Sequence, residues 1–298
     1  FDMPCPTTDI PANFVLTTID QAVFRANGEL KGPVHINCMY REPLVENGKI
    51  SIPAELKRWH NARTPYTSYF RSGDMYLYSD EKRYVSPEIN AIATKIRDIK
   101  QGIIVVGKLA GAREQKSVLA LAKKLNWPIF PDVTSGLRLG NSHKNVIHYF
   151  DQILLAKARK ADGILHLGGR ITSKRWYDYV QQSNPAEYIM ILNHPLRNDP
   201  LHGVTLRVQA RVDDLCDALI PKIAKGKTNP FLSSLQKLNA KIDRVVEEYF
   251  GKETQLSEAA AGRLVSQYIP ADSGLFLASS LPIREVDMYA DSKGKSVI

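Results

Sequence analysis

The stretch Leu167-Gly168-Gly169-Arg170-Ile171-Thr172-Ser173-Lys174-Arg175-Trp176 ends an apolar run in two glycines and starts a helix at Thr172 or Ser173. In an open parallel sheet, ligands bind at such carboxyl ends of strands. Lys174 and Arg175 fall in the first helical turn, where the macrodipole disfavours positive charge by roughly 0.3–1 kcal/mol and free N–H groups attract anions. An anionic ligand explains the placement; two solvated charges on a tolerant surface are the competing reading. A second stretch, Ala278-Ser279-Ser280-Leu281-Pro282-Ile283-Arg284-Glu285-Val286-Asp287, stands at the expected end of a late strand. There Ser280 and Arg284 have the donors to hold phosphate or carboxylate. The same residues also read as a Ser280 N-cap followed by an Arg284/Asp287 surface pair at i, i+3.

Other candidates are weaker. Gly107-Lys108-Leu109-Ala110-Gly111 lies between a strand and a helix, but it lacks the three-glycine fingerprint and the later acidic residue of a nicotinamide site. Its glycines read as tight geometry. Asp132 reads as a cap on the segment after a strand. His35, His148, His166 and His194 stand apart from any Cys or second His at ligand spacing, and no Gly-x-Ser-x-Gly elbow occurs, which sets aside metal-centred and serine-hydrolase chemistry.

The elements that must position these groups alternate between strand and helix from residue 87 to 226, the pattern of an α/β, doubly wound parallel sheet. Expected strands are Gly102 to Gly107, Pro128 to Phe130, Gly163 to Leu167, Tyr188 to Leu192 and Val204 to Val208. Expected helices are Arg113 to Leu125, Asn145 to Lys157, Ser173 to Gln181 and Val212 to Ala224. Outside this domain, Ala12 to Arg25 is helix-like, and Pro33 to Cys38 reads as a strand with nothing local to pair with. Residues 47–86, rich in Tyr, Ser, Arg and Pro, read as a linker. Residues 227–255 read as a helical connector. Ser257 opens a helix with Leu264, Val265 and Tyr268 on one face, and Gly274 to Ala278 starts a fresh strand.

Among the 298 residues, 44% are hydrophobic and 24% charged, enough for a sizeable core and unlike a disordered chain. The longest apolar runs are strand-sized, which predicts a soluble protein with no membrane span. Cys5, Cys38 and Cys216 have no paired spacing, so neither a disulfide framework nor a zinc site is expected, and a reducing cytoplasm fits. The formal charge is +9. Its carriers, such as Lys123, Lys124, Arg159, Lys160, Lys222, Lys225 and Lys227, are scattered without interleaved aromatics, so acidic small molecules are expected as partners and no nucleic acid. The chain opens on Phe1 and stops at Lys295-Ser296-Val297-Ile298, read as the first residues of a buried strand, so a fragment of a longer protein is expected.

Seven blocks taken together resemble one family. They are Thr18-Ile19-Asp20, Gly32-Pro33-Val34-His35-Ile36-Asn37-Cys38, Arg41-Glu42-Pro43-Leu44, Asp132-Val133-Thr134-Ser135-Gly136-Leu137-Arg138, Leu167 to Arg175, Arg197-Asn198-Asp199-Pro200 and Ser280-Leu281-Pro282-Ile283-Arg284-Glu285-Val286-Asp287-Met288-Tyr289. In this order they resemble the 2-succinyl-5-enolpyruvyl-6-hydroxy-3-cyclohexene-1-carboxylate synthases. The resemblance implies an enzyme of menaquinone or phylloquinone biosynthesis, dependent on thiamine diphosphate and Mg2+. Such an enzyme decarboxylates 2-oxoglutarate and adds the succinyl carbanion to isochorismate, releasing CO2.

It also implies partial thiamine-diphosphate-binding-fold domains on either side of the central one. Residues 1–46 would end an N-terminal pyrimidine-binding domain, 47–86 link it to a central Rossmann-like domain at 87–226, 227–255 form the connector, and 256–298 start a C-terminal diphosphate-binding domain. By the same resemblance Lys174, Arg175, Ser280 and Arg284 bind substrate, and the full-length protein is a homo-oligomer. The family's activating glutamate and its Gly-Asp-Gly motif with a later Asn are not in this segment; the one Gly-Asp, Gly73-Asp74, is followed by Met75. The expectation is therefore that the cofactor and metal ligands lie elsewhere and that the segment alone is inactive. Alternatives from other classes are a non-catalytic carboxylate-binding module, or another three-domain thiamine-diphosphate decarboxylase or synthase.

Overall fold

In the computed structural model, residues 1–7, 9–10, 12–27, 31–41, 54, 57, 89–156, 160–194, 198–226, 229–271 and 273–294 are described. The chain divides into two units, Phe1–Lys82 and Arg83–Ile298. The expected 47–86 linker lies almost wholly outside the described residues.

In the first unit, helix α1 (Ala12–Asn27) joins two short strands, β1 (Asp2–Met3) and β2 (Asn37–Cys38). These pair in parallel, Asp2 opposite Asn37 and Met3 opposite Cys38. The strand expected to lack a local partner therefore has one, supplied from the very start of the chain. Its extent is also corrected, since only its last two residues form the ladder and residues 33–36 precede it as irregular chain.

The second unit is built on a five-stranded, all-parallel sheet of β3 (Gly102–Val106), β4 (Ile129–Pro131), β5 (Gly163–Leu167), β6 (Glu187–Leu192) and β7 (Leu206–Gln209), in the order β4-β3-β5-β6-β7. Buried on both faces, β3 and β5 have no need of polar alternation, which is why they read as unbroken apolar runs. Successive residues still point to opposite layers. Ile104, Val106, Leu165, Leu167, Ile189 and Ile191 pack with α2 (Ile89–Asp98), α3 (Ala112–Leu125) and α6 (Val212–Leu219). On the other side, Ile103, Val105, Ile164, Tyr188 and Met190 pack with α4 (Phe150–Leu155), α5 (Lys174–Ser183) and α7 (Pro230–Gly251). Each such aliphatic side chain stabilises the fold by about 1.5–3 kcal/mol on full burial. Two further helices, α8 (Glu258–Tyr268) and α9 (Leu281–Tyr289), complete the unit.

Several expected elements change. The helix expected from Asn145 starts only at Phe150, because Val146 is drawn into a parallel bridge with Ile129 and the Asn145 amide donates to the carbonyls of Ala122 and Trp127. Its expected end, Lys157, lies outside the described residues. The helix expected over 212–224 stops at Leu219 and tightens into a 3-10 turn containing Pro221, which cannot donate to an α ladder. Ser257 does cap α8, accepting from the Ala260 N–H, but Leu264, Val265 and Tyr268 face solvent; the buried positions are Arg263 and Ser266. Residues 274–278 form no strand. Leu275 and Leu277 pack on Leu139, Val286 and Ala290 while Phe276 is 96% exposed, an alternation with no strand beside it among the described residues.

Candidate functional site

The sheet order places β3 next to β5 with β4 outside it, so the winding direction reverses between them. The carboxyl ends flanking that switch point are where ligands of open α/β sheets ordinarily sit. Here backbone fills the place. The Gly107 N–H donates to the Leu167 carbonyl at 2.9 Å, and the Gly169 N–H donates to the Lys108 carbonyl at 3.0 Å. A methyl group on Gly107 would stand 2.0 Å from the Gly169 carbonyl oxygen. Gly168 adopts a φ of 79°, a left-handed conformation that glycine takes at little cost.

Beneath this turn His166 is buried, with Nε2 2.8 Å from the Gly169 carbonyl oxygen and Nδ1 3.0 Å from the Tyr188 hydroxyl. A carbonyl only accepts, so Nε2 carries the proton and Nδ1 accepts from the Tyr188 O–H. Burial lowers the imidazole pKa to about 4, and the ring is neutral. The expected glycine loop at 107–111 is thus a closed seam held from below by a histidine.

Charge gathers beside that seam. Asp132, fully buried after β4, accepts from the N–H and hydroxyl of Thr134 at 2.9 and 2.6 Å and also from the Thr172 N–H. It thereby caps a 3-10 turn, Val133–Ser135, and ties that turn to the start of α5. Ser173 is the N-cap of α5, its hydroxyl accepting from the Trp176 N–H at 3.2 Å and donating to Asp151 of α4. Arg175 donates through Nη1 to the other Asp151 oxygen, and the same nitrogen is 3.5 Å from the Met288 sulfur. The anion that the sequence asked for at this helix start is thus provided by Asp151, and Arg175 is not one of two merely solvated charges. About 40% of its side chain remains open to solvent, and Lys174 is exposed.

Opposite this edge, α9 begins at Ser280, whose φ is 76° and whose side chain makes no capping bond. Ser280 thus stands at the N-cap position, as its N-cap reading expected, but supplies no side-chain cap there. Ser280 and Arg284 are exposed. The expected Arg284/Asp287 surface pair is corrected, because Asp287 is buried and accepts from the Val133 N–H at 2.8 Å. Burial, with Asp132 close by, pushes its carboxyl well above the ordinary range although Arg138 opposes the shift.

Arg138, fully buried as well, donates from Nε to the Asp287 carbonyl at 2.9 Å and from Nη2 to the Ala290 carbonyl at 3.0 Å. Its guanidinium lies over the Tyr149 ring, 5.4 Å from the centroid. Of the four expected site residues, Arg175 meets α9 through Met288, one helical turn after Arg284 on the same stripe, with Lys174 adjacent in sequence and Ser280 a turn before. Sequence reasoning missed Asp151, Asp287 and Arg138 as members of this edge. Arg138 and Asp287 each stand in one of the seven blocks, the one signal that pointed to them as members of this edge; Asp151 looks like an ordinary helix-surface acid.

A family model described as the middle domain of thiamine pyrophosphate enzymes matches residues 51–277. The chain belongs to this family. Beyond the thiamine pyrophosphate enzyme middle domain itself, a 2-succinyl-5-enolpyruvyl-6-hydroxy-3-cyclohexene-1-carboxylate synthase of Rubrobacter xylanophilus is 34% identical over 301 residues, covering 100% of this chain and 51% of its own length. The synthase of Salinibacter ruber is 30% identical, covering 98% of the chain and 50% of its own length. Protein PHYLLO, chloroplastic, of Arabidopsis thaliana is 32% identical over 99% of the chain and 18% of its own length. The chain thus spans about half the length of these two synthases. As for the cofactor that names the family, the described residues of this middle domain do not fit it. Backbone fills the switch-point crevice, and among the described residues no three His, Cys, Asp or Glu side chains gather to hold a metal ion. No helix among them is long and apolar enough to cross a membrane.

Proposed function

We propose that this chain is the central part of a 2-succinyl-5-enolpyruvyl-6-hydroxy-3-cyclohexene-1-carboxylate synthase, a cytoplasmic homo-oligomer of menaquinone or phylloquinone biosynthesis. The whole enzyme uses thiamine diphosphate and Mg2+ to decarboxylate 2-oxoglutarate and to join the succinyl unit to isochorismate, with release of CO2. The observation that carries this reading is the similarity to such synthases along the entire chain at 30–34% identity. In this reading residues 1–46 close the pyrimidine domain, 47–86 are the linker, 87–226 the central domain, 227–255 the connector and 256–298 the start of the diphosphate domain. The cofactor and its metal are held outside this segment, so none of its residues takes the catalytic step.

What this segment supplies is recognition of acids. Lys174 and Arg175 stand at the start of α5 and Ser280 and Arg284 at the start of α9, and both substrates carry carboxylates, with which cationic donors form charge-assisted hydrogen bonds. Asp151 engages one nitrogen of Arg175 and so restrains the guanidinium, leaving its other N–H donors for substrate. Holding an acid at a fixed angle to the reacting centre lowers the entropy cost of the bimolecular step.

The test is to express the complete reading frame containing this chain, supply thiamine diphosphate, Mg2+, 2-oxoglutarate and isochorismate, and measure CO2 and adduct. Turnover by that protein and none by the 298-residue chain is expected, with Arg284→Ala raising KM for one acid at least tenfold. Turnover by the 298-residue chain alone, or none by the complete protein, sinks the reading. A complete protein that binds dicarboxylates without turnover would instead be a carboxylate-binding module.

A further inference from the structure

The last carbonyls of a helix have no intrahelical N–H to accept from, and a cation near them is favoured by the macrodipole. At the end of α9 that cation is Arg138, one hundred and fifty residues earlier in the chain, whose Nε and Nη2 engage the carbonyls of Asp287 and Ala290, with the Met288 carbonyl at 3.5 Å. The Gln152 amide of α4 adds a second donor to the Met288 carbonyl at 2.6 Å. From the other side, Asp287 accepts from the Val133 N–H. None of these bonds reaches Lys174, Arg175, Ser280 or Arg284. They set where the helix carrying Arg284 lies against the helix carrying Arg175.

We propose that Arg138, together with Gln152, is a positioning residue of the substrate site. Its rigid, planar fork fixes the axial and rotational setting of α9, and hence the separation of Arg284 from Arg175 across Met288. A lysine keeps the charge but presents a single nitrogen on a flexible stem, and cannot hold two carbonyls at a set angle. This inference rests on the synthase reading above.

The experiment uses the complete protein. KM and kcat for 2-oxoglutarate and for isochorismate are measured, alongside thermal melting, for wild type, Arg138→Lys, Arg284→Ala and the double variant. Arg138→Lys is expected to raise about tenfold the same KM that Arg284→Ala raises, with kcat within threefold, and to add nothing on the Arg284→Ala background. If Arg138→Lys does not fold, Gln152→Met removes the second donor and is expected to raise that KM about threefold, again only when Arg284 is present. A folded variant with both KM values unchanged, or a rise that adds in full to that of Arg284→Ala, overturns the positioning role while leaving the synthase reading intact. No effect of Arg284→Ala on either KM overturns the positioning role alone, and no turnover by wild type overturns both.

Discussion

At the carboxyl ends of β3 and β5 the chain brings backbone against backbone, whereas past β4 and at the start of α5 it brings charged side chains together. Both places lie on the same sheet edge, and topology alone would favour the first as a ligand site. The difference comes from what the chain itself puts there. Gly107, Gly168 and Gly169 have no side chains to hold their loops apart, so the loops close on each other and bond directly. Asp132, Asp151, Arg138 and Asp287 are polar and buried, so each bonds to the N–H, C=O or side-chain groups of nearby turns and helix ends. The charged edge therefore specifies how α9 is docked and leaves its outer cations, Lys174, Arg175 and Arg284, facing solvent.

Substitutions that open the seam or discharge the edge would break this contrast. The largest effect is expected for Gly107→Ala, whose methyl group meets a backbone carbonyl that cannot step aside. Such overpacking should destabilise the chain by roughly 3 kcal/mol in urea unfolding. A loss under about 0.5 kcal/mol would show that the seam is loose enough to admit a ligand.

Next comes pH. His166 titrates near 4 in the folded protein but near its ordinary 6.5 when unfolded, so between those values the unfolded chain binds the extra proton. Stability should be intact above 6.5 and fall by roughly 2–3 kcal/mol as pH drops towards 4. His148, which burial also brings to about 4, adds a second loss over the same range. His166→Gln should flatten part of that slope; an unchanged slope would mean that the ring beneath the seam is open to water.

At the charged edge, Asp151→Asn keeps the contact with Ser173 and weakens the hold on Arg175. The half-open guanidinium limits the cost to about 1–2 kcal/mol of thermal stability. In the complete protein the same change should alter the acid KM, which a purely structural pair would leave alone. Smallest of all is Lys174→Ala, within about 0.5 kcal/mol of wild type because the side chain is exposed. Any large effect of this substitution should be on KM; a marked loss of stability would place Lys174 in the packed edge and blur the contrast.

The strands and helices of the sheet domain were legible because buried parallel strands are uniformly apolar and their covering helices are amphipathic, patterns that local sequence carries. Where a local pattern met a distant partner, the partner decided. Asn145 serves the carbonyls of Ala122 and Trp127 instead of beginning a helix. Asn37 and Cys38 pair with residues thirty-five positions earlier. Leu264, Val265 and Tyr268 make a regular stripe that faces solvent in this unit.

The site divides in the same way. Lys174 and Arg175 were found because a cation pair at a helix start after two glycines is locally improbable, and Ser280 and Arg284 because they follow an apolar run. Asp287 looked like the surface partner of Arg284, since i, i+3 spacing is all that a sequence offers. Only the tertiary structure turns it inward to Val133 and places Arg138 on the last carbonyls of its helix. Sequence by itself determined which segments form the sheet and which cations stand at strand and helix ends, because those depend on near neighbours. Which partner each buried acid or base meets was decided by folding, because an unsatisfied buried polar group is costly and each bonds to the groups that the packed elements bring within reach.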